Sequence, residues 1–316
     1  MAEHMTASFR PATLDDSAFA AGVAAGIDPN PETPEEVRQR WIDTERTCDV
    51  RRFLIGVDGT DTGWLSLVRP HDEDPEAVRL NVLLPHDTAA VAVDEAIAFG
   101  EEQGRAMAAR RLVFNAWDSR TAVISALKAR GWTEERRQRY WRLELQAHAE
   151  RLRTQREEAR ARVGQAGISL HTAAELGGEA VYPRLYEVAR ATYGDVPSSV
   201  EYVGTSYEEW LVWEMRAGVH LDRFWVASDG ERLVGFSFLE FQQNLVHTGY
   251  TGVLREYRGR GIARALKLET LVQAADLGVE AVETDNDFEN APILHLNADL
   301  GYDEVMGQVQ LHKLLD

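Results

Sequence analysis

The 316-residue chain holds a single cysteine, Cys48. One thiol permits no intramolecular disulfide, and no Cys/His cluster has zinc-ligand spacing, so neither a disulfide framework nor a metal site is expected. No glycine-lined turn surrounds Cys48 in "ERTCDVRR", which reads as a structural thiol rather than a nucleophile. Long hydrophobic runs are missing too: none approaches the roughly 20 residues needed to cross a bilayer. The opening "MAEHMTASFRPATLDD" lacks the charged, then apolar, then small-residue order of a signal peptide. A cytoplasmic protein without a membrane partner is therefore expected. Positive charge is scarce: the formal net charge is -18 and the pI is near 5.0. Phosphate-backbone binding needs clustered cations, so nucleic acid is not an expected partner. An acidic surface attracts cations at long range and suits an amine substrate.

What is present is the composition of a globular protein, 44% hydrophobic and 27% charged, at a length that suits two domains. The chain repeats itself. "LVFNAWDSRTAVISALKARGWTEE" in the first half and "AVETDNDFENAPILHLNADLGYDEV" in the second share one order: apolar strand, Asn/Asp turn, amphipathic helix, then a glycine that ends the helix left-handed. One step earlier, "LNVLLPHDTAAVAVDEAIAFGEEQG" aligns without a gap to "TGVLREYRGRGIARALKLETLVQAADLG", Val82 standing opposite Val253. Between the halves, "HAERLRTQREEARARVGQAG" is densely charged and ends in glycines, as a helical connector would. The expected division is 1–146, a connector at 147–166, and 167–316. In the second half, apolar spacing predicts helices in "GEAVYPRLYEVARATYG" and in "SYEEWLVWEMRA", with Ser206 as cap. "DRFWVASDGERLVGFSFLEF" reads as a hairpin turning at Asp229-Gly230.

The segment that carries chemistry is Val253 to Ala265, "VLREYRGRGIARA". It follows a strand pattern and opens a helix. A helix N-terminus leaves about four N–H groups unpaired and carries roughly half a positive charge. Glycines there let a phosphate approach the backbone, and Arg258 and Arg260 add cationic charge. The segment matches neither the Walker A pattern nor G-x-G-x-x-G.

"RGRGIA" resembles the R/Q-x-x-G-x-G/A acyl-CoA motif of the GNAT N-acetyltransferase superfamily, with Arg258, Gly261 and Ala263 at the fixed positions. "NAPILHLNADLGY" is similar to that family's N-x-x-A-x-x-L-Y-x-x-x-G-F segment through Asn290, Leu296, Gly301 and Tyr302. The resemblance covers most of residues 168–316. Through the repeat it extends more faintly to 8–146, in the tandem layout that mycothiol synthase also shows. The fold it implies is α/β (α+β): two tandem GNAT-like domains, each a mixed, mostly antiparallel twisted sheet flanked by helices.

The resemblance also implies roles. The backbone of Arg258, Gly259, Arg260, Gly261, Ile262 and Ala263 would hold the pyrophosphate of acetyl-CoA or another acyl-CoA, the cosubstrate; no metal is implied. Leu254 would pair with the pantetheine arm, the Val253 N–H would polarise the thioester carbonyl, and Asn290 would bond the arm. An amine, expected to be a small molecule, would attack the thioester directly. Asn297 stands where many members have a tyrosine that protonates the departing thiolate; an amide can only donate a hydrogen bond to the sulfur. For the general base, Glu240 ranks first and Glu283 second, with His247 and Asp285 nearby. Glu240 and Phe238 share a strand face. Tyr193 and Trp213 lie in the region that covers the acceptor in this family, and Tyr302 takes a position that is usually a buried aromatic. In the first half Asp87, Ala90 and Ala92 stand opposite Arg258, Gly261 and Ala263. A degenerate first domain is expected, binding acyl-CoA poorly or not at all, in a monomer or homodimer. Because of Asn297, a CoA-binding sensor without turnover stands as the alternative.

Overall fold

The computed structural model describes residues 7–27, 31–197, 200–216, 218–242 and 245–316. Within them the chain forms two compact units: Met1–Gln138 with Ser199–Val203 and Gly307–Asp316, and Arg139–Ser198 with Gly204–Met306.

In the first unit the order is β1 (Ala7–Pro11), α1 (Ser17–Ala25), α2 (Pro34–Thr47), β2 (Cys48–Val57), β3 (Thr60–Pro70), β4 (Ala77–Leu83), α3 (Ala90–Ala106), β5 (Arg111–Trp117) and α4 (Thr121–Ala129). A capping box between Thr33 and Glu36 starts α2, with Pro34 in its first turn. Asp58 and Gly59 both take positive φ, the primed-turn conformation that matches strand twist, and so close the β2–β3 hairpin. Strands β1 to β4 run antiparallel and β5 lies parallel to β4.

β6 (Thr133–Glu144) and α5 (Leu145–Gln165) lead into the second unit. There β7 (Ile168–Thr172), α6 (Tyr182–Tyr193), α7 (Tyr207–Glu214), β8 (Trp225–Asp229), β9 (Arg232–Phe241), β10 (Val246–Val253), α8 (Ile262–Asp276), β11 (Ala281–Asp287), α9 (Ala291–Leu300) and β12 (Asp303–Leu314) follow. Ser206 and Glu209 form the expected capping box of α7. Strands β7 to β10 are antiparallel neighbours, and β11 is parallel to β10. Each unit is thus a mixed, mostly antiparallel sheet flanked by helices, built in the same order, as the repeat implies.

The units divide the chain differently from the linear boundaries at 146 and 167. Residues Gly307 onward of β12 pair antiparallel with β5, and Val309 and Leu311 are buried in the first unit's core. Each fully buried aliphatic side chain is worth about 1.5–3 kcal/mol, enough to fix that strand. Conversely, the second half of β6 neighbours β11, with Trp141 and Leu143 in the second unit's core. The sheet of each repeat is completed by a strand from the other. The helix expected at 147–166 forms as α5 and packs on the second unit. α5 buries Leu145, Ala149, Leu152, Ala159 and Val163 in the second unit. Its charges have partners on α8: Arg153 pairs with Asp276 and Arg160 with the buried Glu269.

Candidate active site

The site in the second unit begins with a defect in β10. Its register against β9 shifts between Thr248 and Tyr250, leaving Gly249 as a bulge. A Cβ on Gly249 would overlap the Phe238 ring, which is 1% exposed and stacked on Phe224. Among the described residues β10 meets β11 at one register position, His247 opposite Glu283. Beyond it the β10 edge facing β11 is open.

Which backbone groups face that opening follows from the ladder. Leu254 donates its N–H to the Val234 carbonyl at 2.9 Å. Antiparallel positions alternate between bonded and non-bonded pairs, so Val253 and Thr251, opposite Gly235 and Ser237, turn their N–H and C=O groups away from β9. The expectation that Leu254 pairs with pantetheine is corrected here: its N–H serves Val234 and its carbonyl accepts from Tyr257.

The opening continues into a cavity of about 590 Å³. At one end α8 starts. Gly259 and Gly261 hold φ of 76° and 81°, left-handed values that glycine adopts without a Cβ penalty. Gly261 is the N-cap and offers no side-chain cap, so the first N–H groups of α8 face the cavity mouth unbonded to any cap. This cradle is made of backbone. The arginines expected to add charge are engaged elsewhere: Arg258 donates to the Val253 carbonyl at 2.9 Å and pairs with Asp195, and Arg260 donates to the Glu256 carbonyl while lying over the Tyr257 ring. Arg255 also pairs with Asp195. Hydrogen bonds from Arg255 and then Arg258, working against burial, hold the Asp195 carboxyl below its ordinary range. Gly259, Gly261, Ile262, Ala263 and Asn290 all line the cavity.

The four base candidates share one face of the sheet, because Glu240 is opposite His247 on β9 and Glu283 and Asp285 are two apart on β11. They differ in what they touch. Glu240 is buried and ion-paired with Arg216; Glu283 is buried and paired with Arg142 at 3.0 Å. Both lie outside the cavity lining. His247 and Asp285 line the cavity, with Nε2 of the histidine 3.1 Å from Oδ1 of the aspartate.

Asn297 is fully buried and donates to Oδ1 of Asn286 at 2.6 Å; Asn286, not Asn297, reaches the cavity. The Tyr193 ring packs edge-on against Tyr250, and its hydroxyl accepts from Trp210. Burial first, then the nearby Glu214, pushes the Tyr193 phenol well up. Arg216 lies over the ring of Trp213. Tyr302 is a buried core aromatic, as expected from its position.

The first unit shows the same frame with a different occupant. Gly63 backs Leu84 just as Gly235 backs Val253, so Leu84, rather than Val82, stands structurally opposite Val253, and the gapless alignment fails at the strand end. Six residues, Leu84–Ala89, link β4 to α3, where eight, Leu254–Gly261, link β10 to α8. The N-cap Ala89 has φ of -56°, so no left-handed nest forms there. Arg120, at the start of α4 as Asn290 is at the start of α9, is buried and donates to the carbonyls of Val82 and Leu84. These are the counterparts of the Thr251 and Val253 edge. In the first unit one guanidinium serves both carbonyls, whereas in the second the Val253 carbonyl accepts from Arg258. Burial lowers the Arg120 pKa to about 10.

Thr251, Asn286, Asp195, Lys267 and Arg120 were not singled out from the sequence. Only the carbonyl-facing position of Arg120, matching Asn290 in the repeat, carried a readable signal.

Residues 182–302 match the model of the acetyltransferase (GNAT) family. No curated protein matches the chain. Among solved structures, the fold is similar to a GCN5-related N-acetyltransferase from Sphaerobacter thermophilus, with a TM-score of 0.69 at 19% identity over 98% of this chain and 95% of that one. A tandem GNAT protein from the clavulanic acid biosynthesis pathway gives 0.69 at 17% identity, over 98% of each chain. An acetyltransferase of the GNAT family from Colwellia psychrerythraea gives 0.61 at 12% identity, over 98% of this chain and all of that one. Residues 182–302 thus match the acetyltransferase (GNAT) family, in a chain whose fold is similar to that of a tandem GNAT protein.

Proposed function

We propose that the second unit binds one acyl-CoA and transfers its acyl group to a small amine. The observation that carries this reading is the uncapped start of α8, with glycines 259 and 261 left-handed, adjoining the open β10 edge. The pyrophosphate sits on the N–H groups from Gly259 to Ala263, and the pantetheine arm adds to β10 as a short strand through Val253 and Thr251. Asn290 bonds the arm from the start of α9. The arm runs back from the nest, so the Thr251 N–H lies nearer the thioester than that of Val253 and polarises its carbonyl. With acetyl-CoA, the donor of the family, the acceptor amine attacks from the face that holds His247. The imidazole takes the amine proton and Asp285 orients it. The C–N bond forms, the C–S bond breaks, and CoA departs as a thiolate. The first unit, its edge closed by Arg120, takes no CoA.

Calorimetry with CoA and thiol release from acetyl-CoA across a panel of amines test the reading. One CoA per chain and amine-dependent thiol release are expected. Tight CoA binding with no release for any amine favours a sensor.

A further inference from the structure

One cationic group that lines the cavity has no carboxylate paired with it among the described residues. Lys267 of α8 lines the cavity, yet it is 2% exposed. Among the described residues no carboxylate pairs with its ammonium, which lies over the Tyr302 ring, 5.3 Å from Nζ to the centroid. A buried charge without a partner is costly, and folds retain one where something else supplies the partner. Two further polar groups there lack one: the hydroxyls of Thr248 and Tyr302 face each other, but neither makes a hydrogen bond of good geometry. Thr248 lines the cavity beside His247, on the opposite face of the strand.

The position of this cluster says which part of a ligand meets it. The nest fixes the pyrophosphate at the start of α8, and the arm runs along β10 towards the point where the strands join. The last part of the donor to arrive is the acyl group. An acetyl methyl would leave the ammonium and both hydroxyls unsatisfied. A carboxylate at the end of the acyl chain would accept from all three.

We propose that the preferred donor is an acyl-CoA whose acyl group ends in a carboxylate, bound by Lys267 with Thr248 and Tyr302. This rests on the acyl-CoA reading above and changes its donor. Burial alone lowers the Lys267 pKa to about 8. A bound carboxylate raises it again, so binding at pH 9 takes up a proton.

The test is calorimetry of CoA, acetyl-CoA, succinyl-CoA and malonyl-CoA on the wild type and on Lys267→Met, an apolar replacement of similar length whose fold is checked by circular dichroism. One of the two carboxylated donors should bind the wild type at least about tenfold more tightly than acetyl-CoA, as a charge-assisted pair out of water provides. Lys267→Met should erase that preference while binding CoA itself as before. Should Lys267→Met fail to fold, proton uptake by the wild type at pH 9, measured in buffers of different ionisation enthalpy, replaces it: uptake with the carboxylated donor and not with acetyl-CoA is expected. Acetyl-CoA bound as tightly as both carboxylated donors, a preference that survives Lys267→Met, or equal proton uptake with all donors would overturn the proposal and leave the acyl-CoA reading standing. No binding of CoA itself to the wild type would overturn both.

Discussion

Replacing Gly261 by glutamate separates the phosphate nest from the fold. At φ of 81° a residue with a Cβ costs about 1–2 kcal/mol of backbone strain. Sterically the position is open: the nearest atom to an added Cβ, outside its chain neighbours, is Cδ of Arg162 at 3.9 Å. The variant should fold, with a melting temperature lower by a few degrees. Binding should suffer far more. A carboxylate about 4–6 Å from a pyrophosphate charge, at an effective dielectric near 20, opposes it by roughly 3–4 kcal/mol, a loss of about 100- to 1000-fold in affinity. Gly261→Ala carries the same backbone strain without the charge, so the difference between the two variants isolates the electrostatic part. Calorimetry with CoA, alongside thermal melts, reads both quantities. If the glutamate variant bound CoA within about threefold of the alanine variant, no phosphate would sit at the nest, and the assignment of the cofactor site would fall.

Gly249→Ala pushes a methyl group into the Phe238 ring; overpacking of about 1–3 kcal/mol should appear in urea melts together with weaker CoA binding, whereas unchanged affinity would detach the bulge from the site. His247→Ala should slow amine-dependent thiol release by roughly 100-fold or more with CoA affinity preserved; a change in affinity alone would remove it as base. Glu214, partly buried, has its carboxyl raised from 4.5 to about 7 by burial, opposed by Tyr193 and Arg216. The folded state then binds that proton more tightly than the unfolded chain, so its contribution is complete below pH 4.5, declines between 4.5 and 7, and is absent above; the wild type should lose up to about 3 kcal/mol relative to Glu214→Gln between pH 4.5 and 8 in denaturant melts, and parallel pH profiles would refute this. Arg120→Ala leaves two buried carbonyls without their donor, at about 1–3 kcal/mol each, but CoA stoichiometry should stay at one per chain because the first unit has no nest; two equal sites in the wild type would overturn that account.

The parts of the site legible in the sequence are those whose physics is local. Gly259 and Gly261 announce a left-handed backbone at a helix start, and that requirement is met within a few residues. The parts that were not legible depend on partners far along the chain. Glu240 has a suitable type and position for a base, but its charge is taken by Arg216, 24 residues away. Leu254 was expected to pair with pantetheine because nothing local tells which way an N–H points; its bond to the Val234 carbonyl decides it. α5 read as a connector since the partners of Arg153 and Arg160, Asp276 and Glu269, come only with α8. The exchanged strands escaped for a similar reason: Thr133–Glu144 and Asp303–Leu314 are both good strands, and neither carries a mark of the sheet it will complete.

The two copies together show how one frame is turned towards or away from a ligand. Both leave a strand edge after their parallel pair, and an open edge of buried carbonyls must be satisfied by something. In the first unit the chain supplies the partner itself, from the residue that begins the helix after β5. In the second unit Asn290 begins the equivalent helix, the Val253 carbonyl accepts from Arg258, and the longer loop before α8 holds Gly259 and Gly261 in left-handed backbone. The two copies differ in the side chain that meets this edge, Arg120 in one and Arg258 in the other, and in the two left-handed glycines before α8. Neither change disturbs the sheet, since the glycines that back the strand, Gly63 and Gly235, are kept in both copies. Retaining the frame while exchanging its occupant is what lets the first unit complete its fold with β12 while the two strand edges differ.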